Sequence, residues 1–528
     1  MRVVSSRLPF WLVLLGVPFA LRCGLLAVWR HGFPWGDGLF YAAIAGQLFQ
    51  FGHAHEYLLL FPPGYPLLVA LFCFVLSLDG ALVYVSLLSG SVVPVLTWWI
   101  ARQVGGKGVA WSAWVLTCCS PLLLGLSMER LADSLFIAWV LAALGSMLMF
   151  CRSRLVGWFA AFSFFSAFCV QTKPEGLVLA VVQSLICLLI VRWINPLRRL
   201  LLVGFLWVTI MLVGLPYWIL LHQRTGVWMV SGKASLNLMH ARAKAVAHDH
   251  SEELKIVYRQ AFAVDASGRL AFLTRNDSFW DYLSENPGRA LRVYWDNAKK
   301  GLDVFSPAAV PLVVAMCVGW AALWTSGRRT DLALLASPLV LLLFPPLFVS
   351  LAQPSFHPGR LAGPVVPSLV VLASIGLERI QAVWRRPRLG LWVLLAWALA
   401  CLAFAWYETE RLDSANRAER QLVDLHREQV SRWLAANTGK ESVIASTSLL
   451  DDAYGGRRSV WLPWEETPRL VDYLRSRRVK YVLQERGGGL FSRGVEGLGV
   501  NPESVGLQPV ASLDTVPPVV VYRCVCGP

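Results

Sequence analysis

The chain has 528 residues, of which 56% are hydrophobic and only 15% charged, and its mean hydropathy is +0.54. Soluble domains carry about a quarter of their residues as charges, so a wholly water-soluble protein is excluded and a membrane-embedded one is indicated. The net charge of +15 would point to nucleic acid in a soluble protein, but most Lys and Arg residues here lie in short loops between apolar runs, where membrane topology accounts for them.

Segments of about 20 apolar residues are long enough to cross a bilayer. They fall at 8–29, 82–101, 109–127, 133–150, 155–171, 176–192, 200–221, 308–325, 332–350, 361–378 and 389–407. The first is too long for a secretory signal and no small-residue cleavage site follows it, so it is predicted to be retained. The run 64–78 is shorter and opens within Pro62-Pro63-Gly64-Tyr65-Pro66, which predicts a helix lying in or dipping into the interface. Charge supports that assignment. With the amino terminus inside, the inner loops carry Arg2 and Arg7, Arg102 and Lys107, Arg152 and Arg154, Arg192, Arg198 and Arg199, Arg328 and Arg329, and Arg379, Arg385, Arg386 and Arg388. This is a positive-inside pattern, and a crossing at 64–78 would invert every later loop. The 24 Trp residues suit an interfacial aromatic belt. The expectation is an α-helical polytopic domain over 1–407 with eleven spans, a first outer loop at 30–81 and a large outer loop at 222–307.

Residues 408–528 follow as an outer soluble tail. Apolar positions at Leu422, Leu425, Val430, Trp433 and Leu434, with Gly439 as a stop, predict a helix over 411–437. Val443–Ser446, Val460–Leu462, Tyr481–Gln484 and Val519–Tyr522 read as strands, with a helix at Pro468–Arg478, which makes a small α/β domain. The 11 Cys residues form no metal or disulfide framework. Neither His53 with His55 nor His248 with His250 has a third ligand at a persuasive spacing, so no metal site is predicted.

The unusual polar residues cluster on the outer side. Asp37 lies in Trp35-Gly36-Asp37-Gly38-Leu39-Phe40-Tyr41, directly after the first span, and Glu56 ends His53-Ala54-His55-Glu56. Glu129, Arg130 and Asp133 open the fourth span, Lys173 and Glu175 occupy Gln171-Thr172-Lys173-Pro174-Glu175, and His357 and Arg360 occupy Ser355-Phe356-His357-Pro358-Gly359-Arg360. Each has a bland alternative: Asp37 and Asp133 as helix caps, Lys173 as a snorkelling lysine. Arg22, inside the first span, requires an anionic partner or a route to the interface. Acids and bases converging from four segments on one face are nevertheless what an anionic lipid headgroup requires. A sugar on a polyprenyl phosphate already carries a good leaving group. Its transfer needs one carboxylate to deprotonate an acceptor hydroxyl and cations to hold the departing phosphate. Asp37 suits the first role, Lys173 and Arg360 the second.

Residues 36–66, 127–136, 171–176 and 355–367 resemble the GT-C membrane glycosyltransferases, closest to the bacterial protein O-mannosyltransferase-like and aminoarabinose-transferase-like branch. The likeness rests on the acid after the first span, Pro62-Pro63-Gly64-Tyr65-Pro66, Asp133, Thr172-Lys173-Pro174-Glu175 and His357-Pro358-Gly359-Arg360. It implies catalytic roles for Asp37, Asp133 and Glu129, and substrate contacts from Lys173, Arg360, His357, Tyr41, Glu56 and Tyr65. It further implies a polyprenyl-phosphate sugar donor and a lipid, glycan or protein acceptor, with no cofactor and no nucleic-acid partner. The bacterial plasma membrane is the implied site, with the amino terminus cytoplasmic and the tail periplasmic. Many relatives carry Asp-Glu where this chain has Asp37-Gly38, which leaves Asp37 alone or supported by Glu129 or Asp133. The rival readings are a transporter or lipid flippase, which often shows inverted repeats and broken helices with charges near mid-span, and a non-catalytic GT-C-like scaffold.

Overall fold

The computed structural model describes residues 8–28, 37–52, 55–189, 191, 194–233, 310–343, 359–384, 396–403, 424–446, 448–463, 467–485, 502–515 and 518–525, with isolated positions between 236 and 295. The chain is an integral membrane protein. Five described helices are long and apolar enough to cross a bilayer: α1 (Leu8–Val28), α4 (Leu78–Val104), α7 (Asp133–Ser153), α10 (Pro196–Thr225) and α14 (Val366–Trp384). Helices α5 (Lys107–Cys118) and α6 (Pro121–Met128) reach that length only together, as a broken span or a re-entrant loop bent by 54° where Pro121, which has no N–H, opens the second half. The shorter apolar helices α8 (Val156–Thr172), α9 (Glu175–Leu189) and α11 (Val310–Thr325) coincide with three more of the apolar runs. The expected span 332–350 starts as α12 (Arg329–Ala336) and turns through Ser337–Leu339 to Val340–Leu343, its remainder lying outside the described residues. Within 389–407, residues 396–403 are helical.

The difficult run at 64–78 contains α3 (Gly64–Phe72), nine residues long. That spans about 14 Å, half the hydrocarbon core. Leu67, Leu71, Phe74 and Val75 are exposed along it, as an interfacial helix requires. Ser77 then caps α4 by accepting from the Gly80 N–H at 3.2 Å. Helix α2 (Asp37–Phe51) precedes α3 and packs on it.

Helix α7 is the centre of the bundle, flanked by α4 and α8. Helices α11 and α14 approach most closely, because a Cβ at Gly319 would lie 1.9 Å from the Leu372 carbonyl oxygen and one at Gly376 1.8 Å from that of Ala315. Small residues permit such contact where lipid offers no hydrophobic drive for helix association. Gly376→Ala is therefore expected to force the pair apart and cost about 1–3 kcal/mol, read as earlier thermal unfolding in detergent.

The tail is a five-stranded sheet in the order β2-β1-β3-β5-β4, from β1 (Val443–Ser446), β2 (Arg458–Trp461), β3 (Val479–Glu485), β4 (Leu507–Leu513) and β5 (Val519–Cys524). β1 runs parallel to both neighbours, while β5 is antiparallel to β3 and β4. Alternate residues point to opposite faces. Ile444, Leu483, Val519 and Val521 meet Val430 and Leu434 of α15 (residues 424–437) on one face. Val443, Ala445, Val460, Val482 and Val520 meet Leu470, Tyr473 and Leu474 of α17 (Thr467–Ser476) on the other. Between β1 and β2 lies α16 (Leu449–Tyr454), absent from the sequence expectation, as is β4, whose Pro509 sits beside a register shift on the sheet edge.

Candidate active site

Three helix starts and the segments after two helix ends converge on one cluster. Asp37 is the first residue of α2 and Asp133 the first of α7, where an acid is favoured by the unpaired N–H groups and the helix dipole. Lys173 ends α8 in an extended conformation (φ −147°, ψ 138°), which suits a residue before proline. Arg360 lies on the short α13 (Gly359–Ala362), just before α14. Lys233 follows α10; its N–H donates to the Leu60 carbonyl at 3.1 Å, and Ser231 Oγ donates to the same oxygen at 2.6 Å.

Arg360 joins the two acids. Its Nη2 lies 3.0 Å from Asp37 Oδ2 and 3.0 Å from Asp133 Oδ2, while its Nε donates to Asp133 Oδ2 at 3.1 Å. Lys173 Nζ donates to Asp133 Oδ1 at 2.6 Å, and Lys233 Nζ to Asp37 Oδ2 at 2.7 Å. Both Asp133 oxygens are thus engaged and its side chain is 1% exposed, whereas that of Asp37 is 19% exposed. Of the two, Asp37 is the more open acid, while Asp133 is ion-paired to both Lys173 and Arg360. Three cations are ion-paired to two carboxylates, and the Glu175 carboxyl also acts on Tyr41 in this cluster.

Burial alone would raise the Asp37 carboxyl, but Lys233 and Arg360 outweigh it and hold it well below the usual carboxylate range. Tyr41, one turn along α2, has its phenol pushed well up by burial and by Asp37, so it stays a neutral hydroxyl. Its ring meets Phe61 at 5.2 Å and Tyr65 at 5.0 Å, and Lys233 Nζ sits 4.6 Å from the Phe61 ring centroid. Aromatic faces therefore wall one side of the charged cluster.

Asp37, Asp133, Lys173, Arg360 and Tyr41 thus come together. Tyr65 stands behind them, its hydroxyl 2.9 Å from Ser86 Oγ and donating to the Leu82 carbonyl at 3.2 Å, so it packs the wall. Gly64 beside it is required by proximity: a Cβ there would lie 2.6 Å from the Gln171 carbonyl oxygen. This contact seats the proline-rich turn on the end of α8 that presents Lys173. Glu56 lies apart from the cluster, accepting from the Trp461 N–H at 3.0 Å and paired with Arg477 at 3.6 Å. Glu129 ends α6, and its neighbour Arg130 pairs with Asp79 at 2.8 Å. His357 lies outside the described residues. Arg22 donates to Ser127 Oγ at 3.0 Å and the Pro18 carbonyl at 3.1 Å, uncharged acceptors where an anion was expected. Among the described residues no group of three or more His, Cys, Asp or Glu side chains converges as a metal site.

Lys233 was not foreseen from sequence. It sits in Ser231-Gly232-Lys233, in a polar loop that also carries Lys244, Lys255, Lys299 and Lys300, and no spacing singles it out.

No family model and no curated protein matches the sequence. Solved structures do. ArnT from Cupriavidus metallidurans bound to undecaprenyl phosphate superposes with a TM-score of 0.57 at 15% identity, covering 98% of this chain and 99% of that one. The apo form of that protein gives 0.56 at 16% identity, with coverage of 98% and 99%. The fold is that of the GT-C glycosyltransferases. A more distant likeness, to the Archaeoglobus fulgidus oligosaccharyltransferase in complex with Zn and sulfate, has a TM-score of 0.52 at 14% identity and covers 97% of this chain and 73% of that one. The GT-C likeness to ArnT runs through membrane domain and tail alike, so the sheet belongs to the shared architecture.

Proposed function

We propose that this GT-C protein moves a sugar from a polyprenyl-phosphate donor to an acceptor hydroxyl at the outer face of a bacterial plasma membrane, with inversion. The observation that carries the reading is Arg360 bridging Asp37 and Asp133 inside a cluster that gathers three cations, Arg360, Lys173 and Lys233. The neighbour ArnT, solved with undecaprenyl phosphate bound, supports the donor class.

In this mechanism the donor phosphate docks against Lys233, Arg360 and Lys173, which hold it by charge-assisted hydrogen bonds. Phosphate competes with Asp37 for Lys233 and Arg360. Each hydrogen bond it draws away raises the proton affinity of the carboxylate, so the base strengthens as the donor binds. Asp37 then takes the acceptor's hydroxyl proton while the acceptor oxygen attacks the anomeric carbon. The bond from that carbon to the phosphate oxygen breaks with its electron pair, and the cations stabilise the departing phosphate. Attack opposite the leaving group inverts the anomeric configuration. Asp133, fully engaged, positions the cations without touching the sugar.

The test is incubation of the purified protein in lipid with radiolabelled polyprenyl-phosphate sugars and an envelope extract. Label transfer or slow donor hydrolysis is expected, and a protein that consumes no donor overturns the reading. Lys233→Ala is expected to lower kcat/KM for the donor about 10- to 100-fold, the value of one charge-assisted hydrogen bond, with Lys233→Arg retaining most activity. Donor titrations of the three proteins check this.

A further inference from the structure

We infer that the carboxyl-terminal sheet is a positioning device for the catalytic helix, and that Gln47 is the residue through which its edge strand sets the position of Asp37. The inference rests on Asp37 being the reacting carboxylate.

β2 is an edge strand, and in a strand the N–H and C=O groups of alternate residues point to the same side. The Leu462 N–H donates to the Ser446 carbonyl of β1 at 3.0 Å, so the backbone groups of Arg457, Ser459 and Trp461 face away from the sheet. Among the described residues no sixth strand takes them. Gln47 does: its Nε2 donates to the Arg457 carbonyl at 2.9 Å and the Asp452 carbonyl at 3.2 Å, while its Oε1 accepts from the Ser459 N–H at 3.2 Å. Glu56 continues the row by accepting from the Trp461 N–H at 3.0 Å. Side chains of the first outer loop thus complete the open edge of the sheet, in the place of a strand.

Gln47 is 2% exposed and lies ten residues after Asp37 on α2, about 15 Å along the axis. Beside it, a Cβ on Gly46 would stand 3.3 Å from the Ala453 carbonyl oxygen of α16, so helix and domain meet backbone to backbone. A second link runs through Tyr57, whose hydroxyl donates to Asp452 Oδ2 at 2.6 Å and whose ring meets both Trp461 and Phe40. Phe40 is in the first turn of α2 with Asp37. At 15 residues, α2 is marginal as an isolated helix and takes its position from what it packs on. Of the cations on Asp37, Arg360 stands just before the membrane helix α14 and also holds Asp133 at the start of α7, so the register between the base and that cation passes through the sheet edge.

The experiment uses the full chain in lipid and two variants, Gln47→Ala and Gln47→Glu. It measures amide hydrogen exchange across residues 37–51 and 133–153, with kcat and KM for the lipid-linked donor. For Gln47→Ala, the α2 amides are expected to exchange about tenfold faster with those of α7 unchanged. Its kcat is expected to fall about 10- to 100-fold with donor KM within about twofold, since misplacement of a reacting group acts on the chemical step. Gln47→Glu keeps the acceptor for Ser459 but offers at most one O–H in place of two N–H donors, so it cannot serve both the Arg457 and Asp452 carbonyls. Its α2 exchange and kcat are expected to fall between those of wild type and Gln47→Ala. Unchanged α2 exchange in both variants overturns the inference, as does faster exchange with unchanged kcat. A wild-type protein that transfers no sugar would end the reaction assignment separately, and the exchange arm would still decide whether the sheet edge holds α2.

Discussion

Asp37→Asn is expected to lower kcat for sugar transfer about 10²- to 10⁴-fold, the usual contribution of a positioned general base. Asn has the same shape, starts a helix as well as Asp does, and its side-chain oxygen still accepts from Lys233 and Arg360. What it cannot do is take a proton. The substitution also removes one of two negative charges facing three cations, so donor affinity is expected to stay equal or rise. A fall in kcat with tighter or unchanged donor binding is the signature of a lost base. Initial rates over a donor titration, with separate measurement of donor binding, check it. Transfer that survives in Asp37→Asn would move the base elsewhere.

The pairing of Asp37 with Asp133 was legible in the sequence only as two acids on one side of the membrane. Hydropathy and basic loops predict both at outer span ends, because each span is some 20 residues of one kind of chemistry. Which acid is open and which sealed depends on the angles at which α2 and α7 meet Arg360, and no spacing encodes those. Lys233 was invisible for the same reason: it reaches Asp37 across 196 residues of sequence, anchored by backbone bonds to Leu60. Glu56 shows the converse. In sequence it looks like another outer acid near the site, yet its carboxylate is taken by the Trp461 N–H of an edge strand 405 residues away. The strands β1, β3 and β5 were readable from β-branched runs. β4, with Pro509 on an edge, and the six-residue α16 fall below what local patterns resolve.

The dock between sheet and first outer loop also carries a pH dependence. Asp452 is buried there beside Asp451 and Glu56, accepts from Tyr57, and lies 4.0 Å from His55, which burial pushes down to about 3 and so keeps neutral. Burial, then Asp451 and Glu56, push the Asp452 carboxyl well above its ordinary value, against the Tyr57 hydrogen bond. The folded protein therefore keeps a proton that the unfolded chain releases above about pH 4, so this group's contribution to stability is full below that pH and is lost as pH rises towards the folded value. Asp452→Asn, which mimics the protonated acid, is expected to flatten the fall in melting temperature between weakly acidic and neutral pH. Thermal unfolding over that range checks it, and an unflattened curve would mean that Asp452 is ionised in the fold.

The other large effect is expected at Arg360. Arg360→Ala strips one partner from Asp37 and another from Asp133, whose side chain is 1% exposed and keeps only Lys173. Removing one partner of a buried pair costs about 3–5 kcal/mol because the remaining charge has no water to return to. Arg360→Lys is not a conservative exchange here. Arg360 reaches Asp133 through both Nε and Nη2 and Asp37 through Nη2, and a single ammonium cannot hold both acids in that planar geometry. Lysine is therefore expected to recover much of the stability and little of the activity, with kcat/KM about 10²- to 10³-fold below wild type, since a cation at the leaving phosphate acts in the transition state. Acid titration separates the stabilising part. Burial opposes ionisation of Asp37, but Arg360 and Lys233 lower its folded value overall. The stability this provides is present above about pH 4, the unfolded value, and is lost as pH falls through the folded one. The gap in melting temperature between wild type and Arg360→Ala is accordingly expected to be full at neutral pH and to narrow on acidification below about pH 4. A gap that stays constant through that range would mean that Arg360 supports the fold by packing alone, and that the charge cluster contributes nothing through Asp37.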